Sequence, residues 1–322
     1  TTVNVAVNNG RGAYPWIEAS NSAAASPPFA LIDGNYRYTT APPNRWTDSG
    51  SVESRARLVL DFGIARRVDE LTLYFLDDGA ASGIRAPASY AVEAWNNGRW
   101  TRAPIASREP AAPEGLRANH VRFAKPLRTS KIRLTLEHRP DAYTGLTEIE
   151  AWSREMPPAR EVVAAPRDLA YNATGEGFPR ASASFTGQSD DVRQAVDAQV
   201  AFTRYSRNRW TSYGSPNASD WLQVDFGEPR LIATVDLYLW GDDRGVKAPR
   251  AYRVQYWDGS RWTDADVVSR QPERPATWSL NRVRIRPVRS SRIRVMFEHD
   301  VPAASGVTEL MVWGPDPFAI DR

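Results

Sequence analysis

Asn44-Arg45-Trp46-Thr47, followed after a polar gap by Leu58-Val59-Leu60-Asp61-Phe62-Gly63, is met again as Asn208-Arg209-Trp210-Thr211 and Leu222-Gln223-Val224-Asp225-Phe226-Gly227. The offset is 208 − 44 = 164 at one end of the block and 227 − 63 = 164 at the other, so no insertion separates the copies. Working outward, Asn4 to Asn8 answers Asp168 to Asn172, Tyr14-Pro15 answers Phe178-Pro179, and Ala30 to Gly34 answers Gln194 to Ala198 at the same offset. Downstream, Ala86-Pro87 and Ala248-Pro249 resume the match at 248 − 86 = 162. Gly145 to Trp152 and Gly306 to Trp313 close each copy. One domain has been used twice.

A chain of 322 residues exceeds one ordinary core and suits two domains of about 150 residues. Apolar residues make up 42% and charged residues 25%, the balance of a folded protein, and no apolar run approaches the ~18 residues of a membrane helix. No membrane insertion is therefore expected. Cysteine is absent, which excludes disulfides, thiolate metal sites and a cysteine nucleophile. Of 41 basic residues only Lys125, Lys131 and Lys247 are lysines, leaving 41 − 3 = 38 arginines, a bias we read as that of a high-GC genome. The net charge of +3, with acids interspersed throughout, gives no basic stripe for phosphates, so no nucleic-acid partner is expected. The start at Thr1-Thr2-Val3, without a signal-peptide pattern, reads as that of a mature fragment or an excised piece of a longer protein.

Leu71, Leu73 and Phe75, like Val235, Leu237 and Leu239, alternate with polar neighbours and predict strands with one buried face. Tyr90 to Thr101 and Tyr252 to Thr263 read as strand, glycine-containing turn and strand, a hairpin. Ser153 to Ala165, with Met156-Pro157-Pro158, reads as a short stiff linker. Many short strands, 24 prolines and 20 glycines predict an all-β chain of two tandem β-sandwiches. The expected division is 1–153 and 166–314 for the domains, 154–165 for the linker and 315–322 for a C-terminal tail.

The Asn-Val-Ala or Asp-Leu-Ala opening, Asp33-Gly34 ahead of Trp46, Asp61-Phe62-Gly63, the Trp100 hairpin and the Gly-x-Thr-Glu-x-x-x-Trp close resemble a discoidin or coagulation-factor type C module. More specifically, they are similar to the galactose-binding-like carbohydrate-binding modules of bacterial polysaccharide-acting enzymes. The resemblance covers both halves and implies a jelly roll with binding loops gathered at one end. It also implies a structural Ca2+ in each domain, held in the first by Asp33, Asn44 and Glu148 and in the second by Asp197, Asn208 and Glu309. A hard cation needs six to eight oxygens, and each copy brings two carboxylates from distant sequence. Ala198 departs from the glycine the family has there, and Asn44 and Asn208 stand where it more often has threonine.

Comparing the copies sorts the aromatics. Trp46/Trp210, Trp95/Trp257, Trp100/Trp262 and Trp152/Trp313 occur in pairs and are expected in the cores. Trp16, Tyr36, Tyr143, Tyr205, Tyr213, Trp221, Trp240 and Trp278 occur in one copy only and are free to serve a site. A sugar ring offers an apolar face and a fringe of hydroxyls, so its binder needs an aromatic platform beside carboxylates, amides or arginines. Trp240 with Asp242, Asp243, Arg244 and Lys247 is the strongest such set, and Tyr143 with Asp77, Asp78 and Arg85 the second. His138 and His299 hold equivalent places after a strand-end glutamate, which points to structure rather than catalysis. The expected function is non-catalytic binding of a poly- or oligosaccharide, targeting an appended glycoside hydrolase or lyase of a secreted bacterial protein, extracellular or periplasmic. The alternative is a scaffold or adhesion pair that packs on a catalytic domain or protein partner and binds no sugar.

Overall fold

The structure, a computed structural model, describes residues 1–9, 12–39, 44–159, 161–205 and 207–315, so the tail expected over 315–322 lies outside the described residues but for Pro315. The described residues divide into two compact units, one holding Thr1–Asn9 and Tyr14–Ala165, the other residues 166–315. Both are jelly-roll β-sandwiches. The helices among the described residues are two 3-10 turns, Pro28–Ile32 and Val192–Ala195.

In the first domain two long strands, Arg55–Phe75 and Ala118–Glu137, build both layers. Their outer halves pair as Arg55↔Glu137 through Asp61↔Lys131, and their inner halves as Arg66↔Thr129 through Tyr74↔Ala118, with a break in register between. One layer adds Trp16–Ala19 beside the first half of Arg55–Phe75, and Ser89–Asn96 with Arg99–Arg102 beyond the second half of Ala118–Glu137. The other layer adds Tyr143–Ser153 and Val3–Asn4 on one side and Ile105–Glu109 on the other. In the second domain Ser219–Leu239 and Ser279–Glu298 repeat the arrangement, with breaks between Asp225 and Arg230 and between Ile232 and Thr234.

The repeated Asp-Phe-Gly makes the crossing between layers possible. The Asp61 carboxylate accepts from Gly63 N–H at 2.9 Å, and Asp225 accepts from Gly227 N–H at the same distance. The glycines take φ of +68° and +75°, and a Cβ on either would lie 2.6 Å from the Tyr14 ring or 2.7 Å from the Phe178 ring. Phe62 and Phe226 point the other way, into the cores. Period-two alternation then sends Leu58, Leu60, Leu71, Leu73 and Phe75 inward in the first domain and Leu222, Val224, Val235, Leu237 and Leu239 in the second.

Trp46 and Trp210 are fully buried, as expected. Their indole N–H groups donate to Ser22 Oγ at 2.9 Å and to the Phe185 carbonyl at 3.0 Å, so the polar edge of each ring is satisfied in the dry interior. The expectation that all four tryptophan pairs fill the cores is corrected. Tyr90, Val92 and Ala94 take the inner face of the hairpin, so alternation puts Trp95 on the outer face, opposite Trp100. Trp95–Trp100 and Trp257–Trp262 form edge-to-face pairs at 5.1 and 5.7 Å, half-buried beneath cations. Lys131 and Arg133 lie over the first pair, and Arg292 and Arg294 over the second. Trp313 is buried but Trp152 only half so.

Gly63→Ala and Gly227→Ala are each expected to lower stability by about 2–4 kcal/mol, from left-handed strain plus overpacking against the ring, read as a shifted midpoint of chemical unfolding. Removing the ring with Tyr14→Ala should make the Gly63→Ala loss less than additive.

Candidate functional site

The residues expected to hold a cation do come together in each domain. The Pro28–Ile32 turn ends at Asp33, and Gly34, at φ +83°, reverses the chain so that its N–H donates to Glu148 Oε1 at 3.1 Å. Asp33 accepts from Asn35 N–H at 2.9 Å. The Asn44 amide donates to the carbonyls of Asn35 and of Arg37, the latter at 3.1 Å. In the second domain Ala198 N–H donates to Glu309 Oε1 at 3.0 Å and Gln199 N–H to Asp197 Oδ1 at 3.0 Å. The Asn208 amide donates to Asp197 Oδ1 at 3.2 Å and to the Gln199 carbonyl at 2.9 Å. Ala198 keeps the left-handed backbone of its glycine counterpart, at φ +65°. The substitution therefore adds local strain of order 1 kcal/mol without altering the geometry.

Glu148 and Glu309 are fully buried, and in each the Oε2 atom has no hydrogen-bond partner. An orphaned buried carboxylate oxygen carries a large desolvation cost. Burial, and secondarily the neighbouring Asp33, push the Glu148 carboxyl far up, while burial raises Asp33 to about 6. Asp197 is likewise raised to about 6 by burial, and Glu309 is raised well above the usual carboxylate range by burial and then by Asp197. The donor set therefore fits a hard cation: two carboxylates, two or more backbone carbonyls and an amide whose oxygen a half-turn would present. Among the described residues no cluster of three or more His, Cys, Asp or Glu side chains suits a metal, so such a site rests on carbonyl and amide oxygens as much as on charge.

The loops at the sandwich end carry the residues expected to meet sugar. In the first domain they converge. Ile84–Arg85 pairs in parallel with the start of Tyr143–Ser153, and Tyr143 N–H donates to the Gly83 carbonyl at 2.7 Å. Arg85 meets Asp77 at 2.8 Å, and Asp78 pairs with Arg45. Arg45, from the repeated Asn-Arg-Trp-Thr block, was not among the expected site residues.

In the second domain the expectation for Trp240 is corrected. Its ring is 2% exposed, its N–H donates to the Thr203 carbonyl at 3.0 Å, and the Arg209 guanidinium lies 4.0 Å above the ring centre. A covered ring offers no stacking platform. Trp240 stands where the first copy has Leu76, also buried, so the aromatic fills the base of the loop instead of its mouth. Asp242 shapes the turn, accepting from Arg244 and Val246 N–H at 2.9 Å each; these bonds outweigh burial and hold its carboxyl below the ordinary range. Asp243 pairs with Arg204 at 3.2 Å, and Arg244 and Lys247 are exposed. The ring that lies on this loop is Tyr213, 61% exposed, with Cε2 2.4 Å from where a Gly245 Cβ would be. Its occurrence in one copy only, against Ser49 in the other, was the signal that marked it.

Neither histidine pair is placed for catalysis. His138 Nε2 meets Asp48 Oδ2 at 2.7 Å, and His299 Nε2 meets Asp220 Oδ2 at 2.9 Å, all nearly or fully buried. Each ties the end of a long strand to the loops.

Each domain is thus a jelly-roll sandwich with two carboxylates brought together below its loops. Residues 17–149 match the F5/8 type C domain family, and residues 194–290 match the family described as NedA-like, galactose-binding domain. The two matches cover 133 + 97 = 230 of 322 residues, and the chain belongs to the F5/8 type C, discoidin-like class as two tandem domains. Among solved structures it is similar to one from the Streptococcus pneumoniae β-galactosidase BgaA, 20% identical over 46% of this chain and 98% of that one, TM-score 0.43. It is also similar to the family 32 carbohydrate-binding module of C. perfringens NanJ in complex with galactose, 21% identical over 43% and 93%, TM-score 0.35. A third, allantoicase from Saccharomyces cerevisiae, is 16% identical over 97% and 93%, TM-score 0.35.

The raised carboxyls give a signed pH dependence. Asp33 and Asp197 hold their protons to about pH 6 in the folded chain, against 3.8 in the unfolded one. Over that window the folded state binds more protons, so with divalent ions chelated these groups make stability fall as pH rises. Glu148 and Glu309, pushed further up by burial, hold their protons across the same window and steepen the fall, so the Glu148→Gln, Glu309→Gln double variant, which removes their share, should flatten it. Equal slopes for wild type and variant in unfolding titrations from pH 4 to 7 would contradict it.

Proposed function

We propose that this chain is a non-catalytic carbohydrate-binding tandem, each domain taking a neutral sugar at its loop end. The observation that carries the reading is that the same loop, at Gly83 and at Gly245, meets a tyrosine in both domains although one tyrosine opens the strand Tyr143–Ser153 and the other lies in the turn after Trp210–Thr211. Tyr143 is bound by its backbone to Gly83, and Tyr213 lies with its ring on Gly245. Around them stand paired arginines and carboxylates, Arg85–Asp77 and Arg45–Asp78 in one domain and Arg204–Asp243 in the other. An aromatic face bordered by charge-assisted donors and acceptors suits a ring of hydroxyls. The galactose-binding description of the second family match supports the same class.

On this reading the tandem belongs to a larger secreted bacterial protein and directs an appended glycoside hydrolase or lyase to its polymer. Two weak sites on one chain raise apparent affinity for a repeating ligand through effective concentration. The scaffold reading draws on the duplicated outer-face clusters around Trp95 and Trp257, but the cations that cover those rings leave no bare apolar patch. Calorimetry of the whole chain with galactose, lactose and neutral oligosaccharides should detect binding, and Tyr143→Ala or Tyr213→Ala should weaken it about tenfold. No heat with any of them, and no retention on polysaccharide columns, would defeat the reading.

A structural Ca2+ in each cage is part of the same proposal. Asp33, Asn44 and Glu148, and Asp197, Asn208 and Glu309, would hold it with neighbouring carbonyls, and it would supply the charge that the orphaned glutamate oxygens lack. Added Ca2+ should then raise the melting temperature, and Glu148→Gln with Glu309→Gln should abolish the rise. A melting temperature indifferent to Ca2+ in the wild type would reduce the cages to hydrogen-bonded loop anchors.

A further inference from the structure

The first domain holds a groove of about 890 Å3 away from the loop end, on the outer face of the layer built by Arg66 to Phe75. Its floor comes from three neighbouring strands in register: Glu150↔Thr72↔His120, and beside that row Trp152↔Glu70↔Arg122. Tyr74 continues the floor, with Tyr36 stacked on it at 4.9 Å. The volume is that of a small-ligand site.

The polar groups of the floor are matched among themselves. Glu70 takes His120 Nδ1 at 2.8 Å on one oxygen and Arg122 Nε at 3.1 Å on the other. Arg67 grips Asp69 through two nitrogens. Glu150 Oε2 accepts from Trp152 Nε1 at 3.2 Å and from Tyr74 Oη at 3.3 Å. On the floor of the groove a phosphate or other polyanion would have to displace Glu70 or Asp69 to reach Arg122 or Arg67; Arg154 stands exposed at the rim. A neutral polyhydroxylated ring need displace nothing, and meets half-buried indole and phenol rings between alternating donors and acceptors.

The second copy shows what the face looks like without a groove. Asp236, Arg282, Met311 and Trp313 stand in the places of Thr72, His120, Glu150 and Trp152. Arg282 clamps Asp236 through two bonds of 2.8 Å, the Trp313 indole donates to the same carboxylate at 2.9 Å, and Asp236, Tyr238, Met311 and Trp313 are all 1–2% exposed. The loop-end cage was kept in both copies, whereas this face was kept open in one.

We propose that the Trp152–Tyr74 groove is a second, lateral subsite for a neutral oligosaccharide, present in the first domain alone and separate from the loop-end sites. It rests on the carbohydrate reading only for the class of ligand. The test uses the whole chain with cellohexaose, chitohexaose, mannohexaose and xylohexaose, and a heparin hexasaccharide as the anionic comparison. Carbene footprinting with mass spectrometry reads protection of Trp152 and Tyr74, and calorimetry reads affinity. At least one neutral hexasaccharide should protect both residues, in the wild type and equally in the Tyr143→Ala, Tyr213→Ala variant. His120→Arg with Glu150→Met, which installs the second copy's residues, should remove that protection and weaken groove binding about tenfold while leaving the melting temperature near that of the wild type. If the double variant unfolds, Arg122→Ala, at an exposed position, should weaken protection instead. Protection by the heparin fragment alone would overturn the proposal. So would an unprotected Trp152 while the loop-end tyrosines are protected, or protection that survives His120→Arg with Glu150→Met. Absence of loop-end protection in the wild type, with Trp152 still protected, would defeat the loop-end reading and leave this one standing.

Discussion

The bend at Asp61-Phe62-Gly63, and its twin at Asp225-Phe226-Gly227, is the constraint on which each domain depends. A strand of 21 residues cannot serve two layers of a sandwich unless it leaves one ladder and enters the other, and the change of layer needs a residue free to take positive φ. The carboxylate two residues earlier satisfies the N–H that the ladder gives up, and the intervening phenylalanine anchors the corner in the core. The Tyr14 or Phe178 ring then occupies the space a side chain would need, so the corner is defined from both sides. Everything the domain displays, loops at one end and sheets on the flanks, is placed relative to these two halves.

Duplication makes most of this architecture legible in the sequence. A residue retained in both copies, at an offset of 227 − 63 = 164 in the Asp-Phe-Gly corner and of 309 − 148 = 161 in the closing strand, is retained for geometry, and the structure puts each such set together. What alternation could not decide was which face of the hairpin looks inward. Trp95 and Trp257 are large and paired, yet their parity with Glu93 and Gln255 puts them outside, where a cation rather than the core covers the ring. Trp240 failed in the opposite direction. A single-copy aromatic beside acids has the composition of a sugar platform, but the Leu76 it replaces is buried, and an indole there simply fills more of the same space.

The copies also solve one problem with different residues, which position-by-position comparison cannot detect. The buried imidazole after the long strand is balanced by Asp48 in the first domain and Asp220 in the second, and these acids are not equivalent in sequence: Ser212 stands opposite Asp48, and Ala56 opposite Asp220. The need is for a carboxylate within reach of a desolvated ring nitrogen, and either neighbouring segment supplies it. Tyr143 and Tyr213 repeat the pattern at the loop end. A property held at one place in space while its residue moves between segments of the chain indicates a requirement of that place.

The strand Tyr143–Ser153 joins these requirements. Its ladder with Arg55–Phe75 shifts between Leu146 and Glu148, and the second domain shifts at the same point, Leu239 pairing Val307 and Tyr238 pairing Glu309. Without the shift Leu146, Glu148 and Glu150 would share a face, and either the leucine would leave the core or the glutamates would enter it. With one extra residue Leu146 and Ile149 both point inward, while Glu148 turns to the cage and Glu150 to the lateral groove. A single bulge thus separates the apolar half of the strand from the chemical half. It gives one strand a loop-end tyrosine, a cage carboxylate and a groove wall in succession. In the second domain the same bulge delivers Glu309 to its cage but Met311 to a closed face, so the two flanks differ by side chain while the backbone that aims them is the same.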